Sequence, residues 1–353
     1  MFDSITFVQN VEALRTLENG NYLLLIGEKT DLSTLTNAKS MHYFGAIFPQ
    51  IIYRDRTYEE GIIAAKLSSK TRVTCVPMDD LSGLKIRKTT HTIITFIDGY
   101  SIYTDTFLEK LYARTPEATH IVGGGAGSTL NTWNSPAFFA DDAFYTNHAL
   151  VISSAETMGI GVQHGLKNAM GPFIATHSSG HMLEKINFQN AYDVYRSVIE
   201  KISSFRFDSM PFFTIAQHFP LGIVRYNKDI IIREPISTNE QAIILNAHID
   251  ANSVISILEA KPDELMQAAI TAAKEAYLPD TKSLLVIECL SRYGLLQEQF
   301  SHELRAIANL YEDTVPLWGV LSLGEIANTN QEGIEFYNNT CVIGTLCSSS
   351  KRS

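Results

Sequence analysis

Three short stretches of the sequence combine reactive or recognition side chains with turn-forming residues. In Leu323-Gly324-Glu325-Ile326-Ala327 a single carboxylate stands beside a glycine turn at the end of an apolar run. Glycine lets a ligand approach the backbone, so Gly324 and Glu325 suit a pocket wall; a solvated Glu in a hairpin is the plainer reading. Cys289-Leu290-Ser291-Arg292 follows the apolar run Leu284-Leu285-Val286-Ile287, at a strand end, where open α/β sheets place functional groups. Arg292 could fork onto a carboxylate of a ligand, of Glu325 or of another acid nearby. Cys289 could be a nucleophile only with a positioned base, and a buried inert thiol is the commoner state. Gly123-Gly124-Gly125-Ala126-Gly127-Ser128 has no Lys for a Walker loop. Pro136 and the polar residues before it break the helix that a dinucleotide fingerprint requires. Close backbone packing or ligand approach at Gly123 and Gly124 remains. The ten histidines are scattered, with no HExxH or CxxCH pattern. His177 and His181 lie four apart, but Ser178-Ser179-Gly180 between them favours a turn over a helix face.

The elements that must position these groups read as three passes of one pattern: strand, turn, segment or helix, glycine-marked strand, polar excursion, strand. The first pass has Tyr22-Leu23-Leu24-Leu25-Ile26, Phe44-Gly45-Ala46-Ile47-Phe48 and Gly61-Ile62-Ile63-Ala64-Ala65, after a helical spacing at Phe7, Val11 and Leu14. The second has Thr92 to Ile97, a helix capped by Asp105 with Phe107, Leu108, Leu111 and Tyr112 on one face, Ile121 to Gly127, and Ala149 to Ile152. The third has Leu284 to Ile287, one helix through Leu296, Phe300, Leu304, Ile307 and Tyr311, and the hairpin from Trp318 to Ile343. This is an internal repeat of βαββ-like units. Leu24, Ile94 and Leu285 are expected on equivalent strands. Phe144-Tyr145-Thr146-Asn147 aligns with Phe336-Tyr337-Asn338-Asn339, and Gly123-Gly124 with Trp318-Gly319. A connecting region with a helix over Ala191, Tyr195, Val198 and Ile202 separates the second and third passes, and Pro262 opens a further helix. The fold class expected is α/β (mixed α+β), two halves built from these units with mixed sheets. The halves are 1–204 and 205–347, with 348–353 as a frayed tail.

The chain carries 45% hydrophobic and 19% charged residues, the balance of a folded globular protein. A formal charge of -10 argues against a nucleic-acid backbone as partner. No apolar run approaches the roughly 20 residues that span a bilayer, and the N-terminus has no secretion signal. Cys75, Cys289, Cys341 and Cys347 show no zinc or CxxC spacing, so a reducing, cytoplasmic location is expected.

Leu323 to Ala327 followed by Phe336-Tyr337-Asn338-Asn339-Thr340 resembles the closing signature of FIST (F-box and intracellular signal transduction) domains. Cys289-x-x-Arg292 is similar to the Cys-x-x-Arg turn upstream of it, and Gly123 to Gly127 resembles the glycine stretch of the family's N-terminal half. His218-Phe219-Pro220-Leu221-Gly222 is similar to the turn opening its C-terminal half. Phe44 to Phe48 departs from the family's early Gly-Cys-Ser-Thr-like turn. The resemblance implies a stand-alone bacterial sensory protein, not an enzyme, with Gly123, Gly124, Arg292, Gly324, Glu325 and Asn338 binding a small ligand. One stand-alone subset of the family binds haem, senses nitric oxide and regulates a separate histidine kinase, and the stand-alone form favours that reading; an amino-acid or other organic-ligand sensor is the alternative. For haem b, an uncharged imidazole must reach the iron from an apolar wall. Apolar company (Phe212, Phe213, Phe219) favours His218, and loop freedom favours His177 or His181. His248 follows a buried-looking strand but continues as Ile249-Asp250, facing solvent. An enzyme using Cys289 is the alternative from another class.

Overall fold

A computed structural model describes residues 1–130, 135–225, 230–328 and 333–347. The tail 348–353 lies outside the described residues, as does most of the polar excursion after Asn328. Runs of Leu, Ile and Val form the first strand of each unit, as expected of strands covered on both faces. These are Gly20–Gly27, Thr92–Asp98 and Thr281–Cys289. Each pairs in parallel with the middle strand of its unit, Met41–Phe48, His120–Ala126 or Leu317–Ser322. On its other side each pairs antiparallel with a return strand, Ile62–Leu67, His148–Ser154 or Cys341–Cys347. A leading strand, Phe2–Val8, Arg72–Pro77 or Met158–Gln163, borders the return strand. The fold is mixed α+β, and the repeated unit occurs three times around one shared core.

The hairpin between middle and return strands leaves its own unit. Gln50–Tyr53 and Arg56–Tyr58 of the first unit pair onto Leu317–Ser322 of the third. Phe138–Ala140 and Ala143–Tyr145 of the second pair onto Met41–Phe48 of the first. Glu325–Ala327 and Glu335–Tyr337 of the third pair onto His120–Ala126 of the second. The exchange is cyclic, and each six-stranded sheet is completed by a neighbour.

One register position makes the exchange fit. Gly45, Gly123 and Gly319 stand opposite Leu24, Thr95 and Val286. On the other side they stand opposite Phe139, Ile326 and Ile52 of the incoming hairpins. A Cβ on Gly123 would lie 1.8 Å from the Thr95 carbonyl oxygen, and one on Gly319 1.7 Å from that of Val286. Each seated apolar side chain is buried and contributes roughly 1.5–3 kcal/mol.

Leu24, Ile94 and Leu285 lie on equivalent strands, as the repeat predicts, but not on equivalent faces. Leu23 joins Ile94 and Leu285 in the central core, while Leu24 packs outward with Tyr22 and Ile26. A one-residue shift reverses the face of every side chain; likewise Gly319 matches Gly123, not Gly124. The helix expected through Phe7 and Leu14 is a strand to Val8 and a short 3-10 turn, Glu12–Thr16. The single helix expected from Leu296 to Tyr311 is broken at Gln297, whose φ is 47°, into Leu290–Leu296 and Phe300–Ala308.

The third unit holds an insertion read from sequence as a connecting region. Residues 167–259 form an eight-stranded sheet with the helices Ala191–Ile202 and Phe212–Ala216 against it. Its two edge strands, Ile230–Arg233 and Pro235–Thr238, are separated by Glu234 alone. A flat sheet would hold edges six strand spacings apart, roughly 29 Å at about 4.8 Å each, whereas one residue spans about 3.5 Å. The sheet therefore curls until its edges meet at Glu234. Residue 205 lies inside this insertion, between its two helices. Among the described residues no helix is long and apolar enough to cross a membrane.

Substituting Gly319→Ala is expected to cost about 3 kcal/mol or more, because the new methyl meets a fixed backbone oxygen. Gly45→Ala is expected to cost less, since its Cβ would first meet Ile26 Cδ1 at 3.0 Å, the movable end of a side chain. Urea unfolding of the two variants measures the difference.

Candidate functional site

The third unit departs from its siblings where they are apolar. Register with the glycine joint makes Glu288 the counterpart of Ile26 and Ile97. By the same matching, Glu325 is the counterpart of Phe138 and Ile51. Both carboxyls are fully buried, Glu288 at the carboxyl end of Thr281–Cys289 and Glu325 just past the end of Leu317–Ser322, where the exchanged strand Glu325–Ala327 begins. Two acids at positions otherwise occupied by Ile or Phe mark the end of this sheet as a candidate site, since sequences break local rules where function demands it.

Gly324 builds the turn that delivers Glu325. Its φ is +124°, and a Cβ there would lie 2.1 Å from Phe336 Cζ. The reversed chain then pairs Glu325 with Gly124, whose missing side chain leaves room above Ile287 and Ser322. Ser322 Oγ donates to Glu325 Oε1 at 2.8 Å, and the Thr340 N–H donates to Oε2 at 3.2 Å. Burial drives the Glu325 carboxyl well above the usual range, and these bonds offset only part of that. Glu234 arrives from the insertion, accepting from Ser291 Oγ at 2.9 Å and from Asn339 Nδ2 at 3.4 Å. Its carboxyl is also raised, again by burial first. Cys289 lies between them, and burial followed by the Glu325 and Glu234 carboxyls pushes its thiol up. Asn338 and Asn339 are buried, and the Oδ1 atom of each has no protein partner.

Arg292 belongs to an adjoining network. Its guanidinium forks onto Glu303 at 2.9 and 2.7 Å, bonds Glu288, and donates to the Leu265 carbonyl at 2.5 Å. The acids that Arg292 pairs are thus Glu288 and Glu303. Burial pushes Glu288 up to about 8, Arg292 opposing and Glu303 adding to the rise.

Gly123, Gly124, Gly324, Glu325 and Asn338 therefore come together at one end of the exchanged hairpin, with Arg292 one strand away on Glu288. Sequence reading missed Glu234, Glu288, Glu303 and Asn339. Glu288 had a signal, an acid inside the run Leu284 to Cys289; Glu234 had none. The three histidines are apart from this cluster. His177 Nδ1 lies 3.3 Å from Glu184 and is largely exposed. His181 Nδ1 contacts the Leu245 carbonyl at 3.1 Å. His218 stacks on Phe205 at 5.2 Å, and burial lowers its pKa, which keeps the ring uncharged near neutrality. Among the described residues no three His, Cys, Asp or Glu side chains are grouped to hold a metal ion.

Next to the cluster, beside the strands Ile230–Arg233 and Glu335–Tyr337, opens a cleft of about 450 Å³. Glu335 and Phe336 line it while Phe336 also covers Gly324; Arg233 lines it while Glu234 turns into the cluster. The helix Thr104–Tyr112 supplies Asp105, Leu108, Glu109 and Tyr112, and the insertion supplies Arg225, His248 and Asp250. Arg233 Nε donates to the His248 carbonyl at 2.9 Å, and Arg225 Nη1 donates to Glu335 at 2.6 Å.

Glu288, with a folded pKa of about 8 against an ordinary 4.5, keeps its proton in the folded chain at pH values where the unfolded chain has lost it. Its contribution to stability is complete below about pH 4.5 and is lost as pH rises through about 8. Glu325 and Glu234 act in the same direction. The melting temperature is expected to fall between about pH 4.5 and 8, and Glu288→Gln to flatten that slope. Arg292→Ala leaves Glu288 and Glu303 without their cation and is expected to cost about 3–5 kcal/mol, read by denaturant unfolding.

Comparison with family models matches residues 32–189 to the FIST N domain and residues 191–328 to the FIST C domain. No curated protein gave a match. The two models meet beside the start of the helix Ala191–Ile202, inside the insertion. The chain belongs to the FIST family, whose domains are associated with small-ligand sensing in signal transduction.

Proposed function

We propose that this chain is a small-ligand sensor that takes an amino-acid-sized zwitterion in the cleft between the helix Thr104–Tyr112 and the insertion. The observation that carries this reading is the cleft's lining. Arg225, paired with Glu335, and Arg233 line the cleft together with Asp105, Glu109 and Asp250, beside Leu108, Ile223, Ile231, Ile334 and Phe336. Guanidinium groups suit a carboxylate, the acids suit an ammonium, and the apolar residues suit a side chain. The walls come from two parts of the chain, so an occupant ties the insertion to the three-sheet body. Phe336 and Arg233 connect the cleft to the buried carboxyls behind it, a route by which occupancy reaches the core. Cys289 has no catalytic part in this reading, because its raised pKa keeps the thiol protonated near neutral pH.

Haem and nitric oxide, the other ligand class that the resemblance implied, have less support. None of His177, His181 and His218 lines this cleft, and charges of both signs face it where a porphyrin needs apolar walls. His218 has the uncharged imidazole that an axial ligand requires, with Phe205 already on one face of the ring. The output in either case is proposed to pass to a histidine kinase or other signalling enzyme, whose autophosphorylation with and without ligand tests the link.

A melting screen against each proteinogenic amino acid is expected to give one ligand class that stabilises the protein. The gain is about 2.7 kcal/mol at 100 times Kd and is lost in Arg233→Ala. No stabilisation by any amino acid, with a Soret band in protein from haem-supplied cells that His218→Ala removes, would overturn this reading in favour of haem.

A further inference from the structure

The repeat that builds the sheets also builds the cleft a second time. We infer that the third unit carries a second binding site for the same class of small zwitterion, resting on the reading above. A cleft of about 350 Å³ lies between the helix Phe300–Ala308 and the turn of the first unit's exchanged hairpin. That is the same relation as between Thr104–Tyr112 and the third unit's hairpin. In each unit the helix precedes the middle strand, and in each the hairpin is the one that completes that unit's sheet.

The helix face and the hairpin recur in the lining, while the two arginines come from the insertion in the first cleft and from the helix and the hairpin turn in the second. The first cleft uses Asp105, Leu108, Glu109 and Tyr112; the second uses Arg305, Ala308, Asn309 and Glu312. Both sets follow i, i+3, i+4, i+7, one face of a helix or its continuation. Each cleft has a hairpin carboxylate paired with an arginine, Glu335 with Arg225 at 2.6 Å and Asp55 with Arg305 Nε at 2.9 Å. Each has two arginines among a majority of acids, here Arg54 and Arg305 with Asp55, Glu312 and Asp313, and an aromatic side chain, Tyr53. The same charge logic admits a carboxylate and an ammonium. In the first unit the corresponding gap is bridged by protein. Asp142, at the tip of the second unit's hairpin, accepts from Thr36 Oγ1 at 3.1 Å and from the Asn37 N–H at 2.6 Å.

Titration calorimetry with the amino acid that gives the largest melting shift reads the number of sites. Two equivalents are expected for the unaltered chain. Arg305→Ala should weaken one of them at least tenfold and leave the other, while Arg233→Ala does the reverse. Arg305 is 56% exposed, so its loss leaves the core intact, and Glu312→Lys provides a second variant with the same expected effect. One equivalent that Arg233→Ala removes and both Arg305→Ala and Glu312→Lys leave unchanged overturns the second site while the sensor reading stands. No binding of any amino acid overturns both.

Discussion

The absence of a side chain at Gly45, Gly123 and Gly319 is the constraint on which the molecule depends. Gly123 and Gly319 let the first and middle strands approach closely, and at all three positions an apolar residue from another unit lies across the joint. Without the exchange, each middle strand would present an unpaired edge, and each hairpin would expose Phe139, Ile326 or Ile52 to water. Because every unit both gives and receives a hairpin, the three sheets form as one cooperative body. The central core reflects this, drawing Leu23, Ile94 and Leu285 from three units into one cluster.

Against that regular frame, the third unit is where the repetition is broken. It accepts the insertion, and it alone replaces apolar positions with Glu288 and Glu325. Burying these acids is costly, and each is accommodated differently. Glu288 shares the Arg292 guanidinium with Glu303, an arrangement that holds the short helix Leu290–Leu296 against the sheet. Glu325 instead sits among Ser322, Thr340 and Cys289, its carboxyl driven upward by burial. Glu234 closes the curled sheet of the insertion and at the same time bonds Ser291 and Asn339 of the body. The buried polar groups thus add to the fastening between insertion and body that Ile232 and Leu258 make by apolar packing. The cleft opens at the edge of that fastening, where Arg233 and Phe336 each lie next to a residue of the cluster. A ligand that draws the two walls together acts on a joint whose hydrogen bonds depend on the protonation of buried carboxyls.

Much of this was legible from residue order. Apolar runs interrupted by glycine gave the strands of all three units, because a strand buried on both faces must be apolar throughout and a close joint must lack a side chain. Helical periodicity gave Ala191–Ile202 and the helix opened by Pro262. Gly324 beside Glu325 marked a turn that tertiary packing does require, as Phe336 fills the space a Cβ would need. The tertiary structure alone decided the rest. Hairpin exchange is invisible in sequence, since a strand's local pattern is the same whichever sheet edge it joins. Face assignment slipped by one residue at Leu24 because a uniformly apolar strand carries no alternation to fix it. Arg292 reads as a recognition residue in the sequence, but in the fold Glu303, eleven positions later, and Glu288 take its two terminal amino groups. Glu234 looks like any acid between two short strands, and only the curl of the insertion, which brings sheet edges together and turns that residue inward, makes it part of the site.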